Sequence, residues 1–262
     1  MDSSTGRAID RLTAPEIAVF VSGVASMGLE ILAGRIVAPQ FGSSIYTWGS
    51  IIGVFLAALS LGYHYGGKRA AARASVDRLS WLLLGTAAYV AVVIFAGDVL
   101  LAAGSAFPLP SRFASLPAIT LLFGPPTYLL GFISPYAAEL SSTDAIGEAS
   151  GRVYALGTIG SILGAFGTTF FLIPSFGIDM IGFLFGVLLV ATALLILLQS
   201  IDREPLFATV AVTLLLVAAI GSGAAGISTG GKVVYQTQTP YQELEVADLG
   251  DTRTLYLDGQ RH

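Results

Sequence analysis

The chain has 262 residues, of which 54% are hydrophobic and 11% charged, with a formal net charge of −4 and no cysteine. Mean hydropathy is +0.78, whereas a soluble domain carries about 25% charged residues, so composition excludes an ordinary soluble enzyme and points to an integral membrane protein. Without cysteine there are no disulfides, thiolate metal sites or cysteine nucleophiles, and the small net charge leaves no electrostatic footprint for a nucleic-acid partner.

Met1–Thr13 carries Asp2, Arg7, Asp10 and Arg11 and leads into a full-length apolar span, not the short apolar core and cleavage site of a signal peptide. Apolar runs then predict helices over about Pro15–Val37, Ile45–Tyr65, Leu79–Ala103, Leu116–Leu140, Ile146–Ile173, Ile178–Ser200 and Pro205–Ala224. Each is near the ~20 residues that cross about 30 Å of hydrocarbon, and lipid offers the backbone no partner outside a helix. After Ala225 the sequence turns polar, and Tyr241–Asp248 with Thr252–Leu257 reads as a β-hairpin. Leu244 and Val246 alternate with Glu243 and Glu245, and Leu255 and Leu257 repeat that spacing across a Gly250–Asp251 turn.

The expected fold is therefore an all-α polytopic membrane protein: a bundle of about seven transmembrane helices over residues 1–225, with a short C-terminal β-hairpin within residues 226–262. A lone hairpin is marginal in water, so this one is expected to dock on the bundle, on another chain or on a further domain. Gly66–Arg78 reads as a basic loop with Lys68, Arg69, Arg73 and Arg78, and Arg7, Arg11, Arg152 and Arg203 fall on the same side, against Arg112 on the other. The excess of lysine and arginine places that side, and the N-terminus, in the cytoplasm. An odd number of spans then makes the hairpin extracytoplasmic.

Three stretches carry a family resemblance: SMGLEILAGRIVAPQFGSSIYTWGSIIGVFLAALSLGYHYGG at Ser26–Gly67, GPPTYLLGFISPY at Gly124–Tyr136, and GRVYALGTIGSILGAFGTTFFLIPSFG at Gly151–Gly177. They resemble the transmembrane region of membrane-bound spermidine-synthase-like proteins, the major-facilitator/spermidine-synthase fusion type. TPYQELEV at Thr239–Val246 with LYLDG at Leu255–Gly259 resembles the hairpin that precedes the methyltransferase-like domain of spermidine synthases. The family usually has an asparagine at the position of Gly157. The resemblance implies a polyamine aminopropyltransferase-like protein of polyamine biosynthesis, in which this stretch anchors or partners a methyltransferase-fold domain. It also implies polyamine or S-adenosyl nucleoside ligands, and it places Gln242 near the donor nucleoside. A purely structural reading of Gln242 stands beside that one, and Asp258 belongs to a turn and is not the family's catalytic aspartate. No catalytic residue and no cofactor is assigned, and the chain by itself is expected to be inactive.

Ionisable residues inside a membrane are the default functional candidates, because burying each charge costs a few kcal/mol. Glu30, deep in the first span, reads either as a functional group facing a cavity or as a carboxylate paired with another helix. Arg35, about 140° around the helix from Glu30, reads as a structural or interfacial charge. His64 between Tyr63 and Tyr65 reads first as an aromatic-belt residue and second as a proton-handling group. With His262 as the only other histidine, no metal site is expected. Asp98, Glu139, Asp144, Glu148 and Asp179 fall near span ends and read as solvated charges.

Gly157, Gly160, Gly164 and Gly167 lie along one side of the fifth helix and predict close packing against a neighbour. Pro125, Pro126 and Pro135 interrupt the fourth span. Such breaks either expose carbonyls to a cavity near Phe123–Tyr136 or only shape packing. The alternative function is a transporter or binding protein for a polyamine or other small cation, with Glu30 as the counter-charge.

Overall fold

A computed structural model describes residues 12–141, 146–198, 204–223, 232–238, 243–249, 252–257 and 260–261. The helices are α1 Ala14–Phe41, α2 Ile45–Arg73, α3 Val76–Ser105, α4 Leu116–Ser141, α5 Ile146–Gly167, α6 Ile178–Leu197 and α7 Glu204–Gly223. Among the described residues six helical stretches are long and apolar enough to cross a membrane, and α7 contains a shorter apolar stretch, Leu206–Gly221. After α5 the backbone continues through a π-helical turn at Thr168–Leu172 and a last turn at Ile173–Ser175.

Local chemistry sets the helix ends. Thr13 precedes α1 and its N–H donates to Glu16 Oε2 at 2.7 Å, half of a capping box. Gly42, at φ 73°, turns the chain out of α1 in a conformation that a side chain would strain. Ser44 caps α2 by accepting from Thr47 N at 3.2 Å, and Ser75 caps α3 by accepting from Arg78 N at 3.3 Å.

The basic segment expected as a loop is mostly helix. α2 runs on through Lys68 and Arg69 to Arg73, and α3 begins at Val76. Ala70–Ala72 favours continuation of α2, and Ser75 supplies the next start.

α1 is the central helix, in contact with α2, α4, α5 and α6. α2 lies mainly on α4, α5 mainly on α1, and α3 on α4, α6 and α7. The apolar core includes fully buried Phe55, Phe123, Ile51, Leu83, Ile119 and Ile181, with the Phe55 and Phe123 ring centroids 5.7 Å apart. α2 and α4 cross at glycines: a Cβ on Gly62 would stand 2.8 Å from Gly131 Cα, and one on Gly131 would stand 2.9 Å from Leu59 O. Only hydrogen at both positions lets the backbones approach this closely.

The C-terminal strands form an antiparallel meander, β1 Lys232–Gln238, β2 Glu243–Leu249, β3 Thr252–Leu257 and β4 Gln260–Arg261. The expected hairpin is β2–β3, with Leu244 opposite Leu257 and Val246 opposite Leu255, so the register puts these four apolar residues at matching positions of the ladder. The hairpin is not alone, however. β1 pairs along β2, with an irregularity between Val233 and Tyr235, and removes one of its open edges. Asp248 and Arg253, directly opposite across β2 and β3, join through Nε–Oδ1 at 2.9 Å and Nη2–Oδ2 at 3.3 Å. Tyr241, Gln242, the Gly250–Asp251 turn, Asp258, Gly259 and His262 lie outside the described residues, as do Arg7, Arg11, Asp144 and Arg203.

Candidate functional site

The seam between α1 and α5 is built from small residues. A Cβ on Gly160 or on Gly164 would run into the backbone carbonyls of Phe20 and Val24, and one on Gly23 would run into Gly157 O. On Gly157 itself a Cβ would meet Val19 Cγ1 at 3.2 Å. The expected close packing holds for Gly157, Gly160 and Gly164. It does not extend to Gly167, which has open space beside it just before the π-helical turn.

An ion pair closes one end of this seam. Glu16, in the first turn of α1 and only 4% exposed, receives Arg152 Nε of α5 on Oε1 at 2.5 Å while Oε2 accepts the Thr13 N–H. The carboxylate also sits at a helix N-terminus, where the backbone dipole favours negative charge.

Beside the seam, α1, α2, α4 and α5 border a cavity of about 330 Å³ that is open at the flank, where Tyr63 and Tyr154 are exposed, within the range of small-molecule sites. α5 turns a stripe of hydroxyls toward it, Ser150, Tyr154, Thr158 and Ser161, at spacings of three and four that keep one helix face. Ser22 and Ser26 face it from α1, Tyr63 from α2 and Ser134 from α4. Elsewhere in the bundle some hydroxyls fold back onto their own helix, Thr86, Thr120 and Thr192 each donating to the carbonyl four residues earlier at 2.8 Å, whereas those of Thr127, Ser141 and Thr168 are buried without a partner among the described residues. In the cavity Ser22 donates to Val19 O, three residues earlier, and Thr158 to Tyr154 O, four earlier. Ser26, Ser134, Ser150 and Ser161 line the cavity with no hydrogen-bond partner among the described residues. Every described lining residue is uncharged, so the site offers hydrogen bonds without a counter-ion.

Pro135, Leu130 and Ser134 bring α4 to this cavity, whereas Phe123 and Pro126 of the same helix border a narrower one of about 30 Å³ between α1, α3, α4 and α6. The proline-rich span therefore does face cavities. It does so as one continuous helix, with Pro125, Pro126 and Pro135 inside it.

The residues singled out from sequence are not gathered here. Glu30 is partly buried, makes no ion pair to a described residue and lines none of the cavities described. Arg35 is partly buried on the same helix. His64 is exposed, its ring edge-on to Tyr65 with centroids 5.2 Å apart. Gln242 lies outside the described residues. Among the described residues no three His, Cys, Asp or Glu side chains cluster as metal ligands would.

Reading charges and prolines misses the hydroxyls and the Glu16–Arg152 pair. Both have signals in the sequence. Thr13-Ala14-Pro15-Glu16 is a capping-box pattern with proline in the first turn, and the four hydroxyls of α5 share one helical face within an otherwise apolar run. No protein-family model matches the chain, and neither the curated proteins nor the solved structures contain a match.

Proposed function

We propose that this protein is the multi-pass membrane portion of a spermidine-synthase-like protein, its helices crossing the bilayer and its C-terminal strands opening onto a methyltransferase-fold domain carried in the same protein or on a partner chain. The observation that carries the reading is the order of parts, a bundle of long apolar helices followed by an antiparallel meander. In that meander Leu244, Val246, Leu255 and Leu257 share a face, and an apolar sheet face calls for cover. In this reading the N-terminus is cytoplasmic and the meander extracytoplasmic. α7 crosses as a seventh span, its 20 residues reaching about 30 Å at 1.5 Å per residue.

The reading is tested by gently extracting the protein from its native membrane, determining what is covalently or stably attached, and assaying aminopropyl transfer from decarboxylated S-adenosylmethionine to putrescine. A methyltransferase-fold domain in the particle, with transfer by the particle but not by the 262-residue chain alone, is the expected result. Turnover by that chain alone, or a particle without such a domain, overturns it.

The hydroxyl-lined cavity favours a second activity, binding of a small molecule inside the bundle. Hydroxyls donate and accept alike, and the described lining has no carboxylate to neutralise a polyamine, which suits an uncharged ligand better than a cation held by Glu30. A rise in melting temperature specific to spermidine or putrescine and abolished by Glu30→Gln would reverse that preference.

A further inference from the structure

A second concavity opens on the flank of the bundle at the end where the basic residues gather. It is a groove of about 480 Å³ with Arg69 of α2 and Arg78 of α3 on its border, Trp81 beside Arg78, and Tyr128, Phe132 and Tyr136 of α4 along its wall. The Arg69 guanidinium stands over the Phe132 ring, 5.6 Å from its centroid, and Tyr128 meets that ring edge-on at 5.0 Å. Arg78 Nη1 donates to the Arg73 carbonyl at 2.9 Å. Each guanidinium is thus held in place by a contact that leaves most of its five N–H donors unspent. Among the described residues no carboxylate lines the groove.

Two positioned guanidinium groups match the oxygens of a phosphate, which arginine engages through paired hydrogen bonds. The aromatic wall adds a second requirement. Free phosphate gains nothing from Trp81, Tyr128 and Phe132, whereas the glycerol and first acyl carbons of a lipid would cover them. Tyrosine and tryptophan are also the residues that settle at headgroup depth, and basic pockets between helices on the cytoplasmic side attract anionic headgroups.

We infer that the Arg69–Arg78 groove is a binding site for an anionic phospholipid, its phosphate held by the two guanidinium groups and its upper acyl carbons lying along Phe132, Tyr128 and Trp81. The inference rests on the reading of the helices as membrane spans.

The test is native mass spectrometry of the full chain in micelles supplied with equal phosphatidylglycerol and phosphatidylcholine. The wild type retains phosphatidylglycerol preferentially. Arg69→Gln with Arg78→Gln lowers its occupancy roughly tenfold or more, the loss of two charge-assisted contacts. Lys68→Gln with Arg73→Gln removes the same charge from side chains that do not border the groove and lowers occupancy by several-fold less than the Arg69–Arg78 pair does, since it removes long-range attraction but no direct contact with the phosphate. Circular dichroism checks that both variants keep their helices. Equal losses in the two variants, or no lipid preference in the wild type, overturn the site. Arginine-dependent retention of inorganic phosphate, or its displacement of phosphatidylglycerol, overturns the lipid assignment. A wild type that fails to float with liposomes sinks the membrane reading itself, whereas one that floats without lipid preference sinks this inference alone.

Discussion

The Tyr89 hydroxyl of α3 donates to the Leu121 carbonyl of α4 at 2.6 Å, and Leu121 stands four residues before Pro125. A helical carbonyl accepts from the N–H four residues on, and proline has none. Pro125 therefore releases an acceptor inside an apolar helix, and a phenol from the neighbouring helix satisfies it.

Tyr89→Phe is expected to destabilise the bundle by roughly 0.5–1.5 kcal/mol, the net value of one such hydrogen bond. In a Pro125→Ala background the N–H returns, so the same change costs less than about 0.5 kcal/mol, the scatter of independent sites. Denaturant unfolding of the four proteins in micelles gives the coupling directly. A coupling near zero would mean that the phenol does not serve the carbonyl that proline releases.

Glu16 ties three things together: the first turn of α1, the Thr13 N–H and Arg152 of α5. Removing one partner of a buried pair costs about 3–5 kcal/mol, but the Arg152 side chain is 41% exposed, and solvent screening lowers the figure to roughly 1–3 kcal/mol. Arg152→Gln should therefore cost more than Glu16→Gln. The first change leaves the Glu16 carboxylate buried without its counter-charge, whereas the second leaves a guanidinium that water reaches and an amide oxygen that still accepts from the Thr13 N–H. Melting temperatures of the two variants in one detergent decide the order. The reverse order would place the stabilisation on the negative charge at the helix N-terminus.

Gly160 and Gly167 differ by seven residues and share a helical face by periodicity, yet only Gly160 is pressed against α1, at Phe20 O. Gly160→Ala is expected to destabilise by about 1–3 kcal/mol through overpacking against a backbone that cannot yield. Gly167→Ala meets open space in a right-handed helical conformation and should be neutral or stabilising by up to ~1 kcal/mol through helix propensity. Thermal unfolding of both checks the contrast, and equal costs would contradict the seam.

The helices are legible in the sequence because hydrophobic runs of the right length have one stable form without water, and the β2–β3 pairing is legible because period-two alternation at Leu244, Val246, Leu255 and Leu257 fixes which residues face together. Other features depend on what each element meets. β1 escapes a pattern search because Val233, Val234 and Tyr235 form a short run whose pairing shifts at Val234, which blurs the alternation. The helical continuation through Arg69 is hidden because a cluster of charge looks like a loop, whereas Ala70–Ala72 carries the helix onward. The cavity is hidden because serines count as neutral in a hydropathy scan, and nothing in one helix tells whether a hydroxyl folds back, as Thr86 does, or stays open, as Ser134 does. Glu30 draws attention by rarity, but the described contacts gather the hydroxyls elsewhere.

The absence of cysteine from the sequence gives a clean background for locating each end of the bundle with single substitutions. Ala74→Cys lies between α2 and α3 on the basic side, Ser111→Cys lies between α3 and α4 beside Arg112, and Thr252→Cys lies at the start of β3. A membrane-impermeant maleimide added to intact cells is expected to label Ser111→Cys and Thr252→Cys and to reach Ala74→Cys only after permeabilisation. Labelling at positions 74 and 111 decides the orientation set by lysine and arginine, and position 252 decides whether α7 crosses. If Thr252→Cys behaves like Ala74→Cys, α7 lies within or along the membrane without spanning it, and the meander faces the cytoplasm.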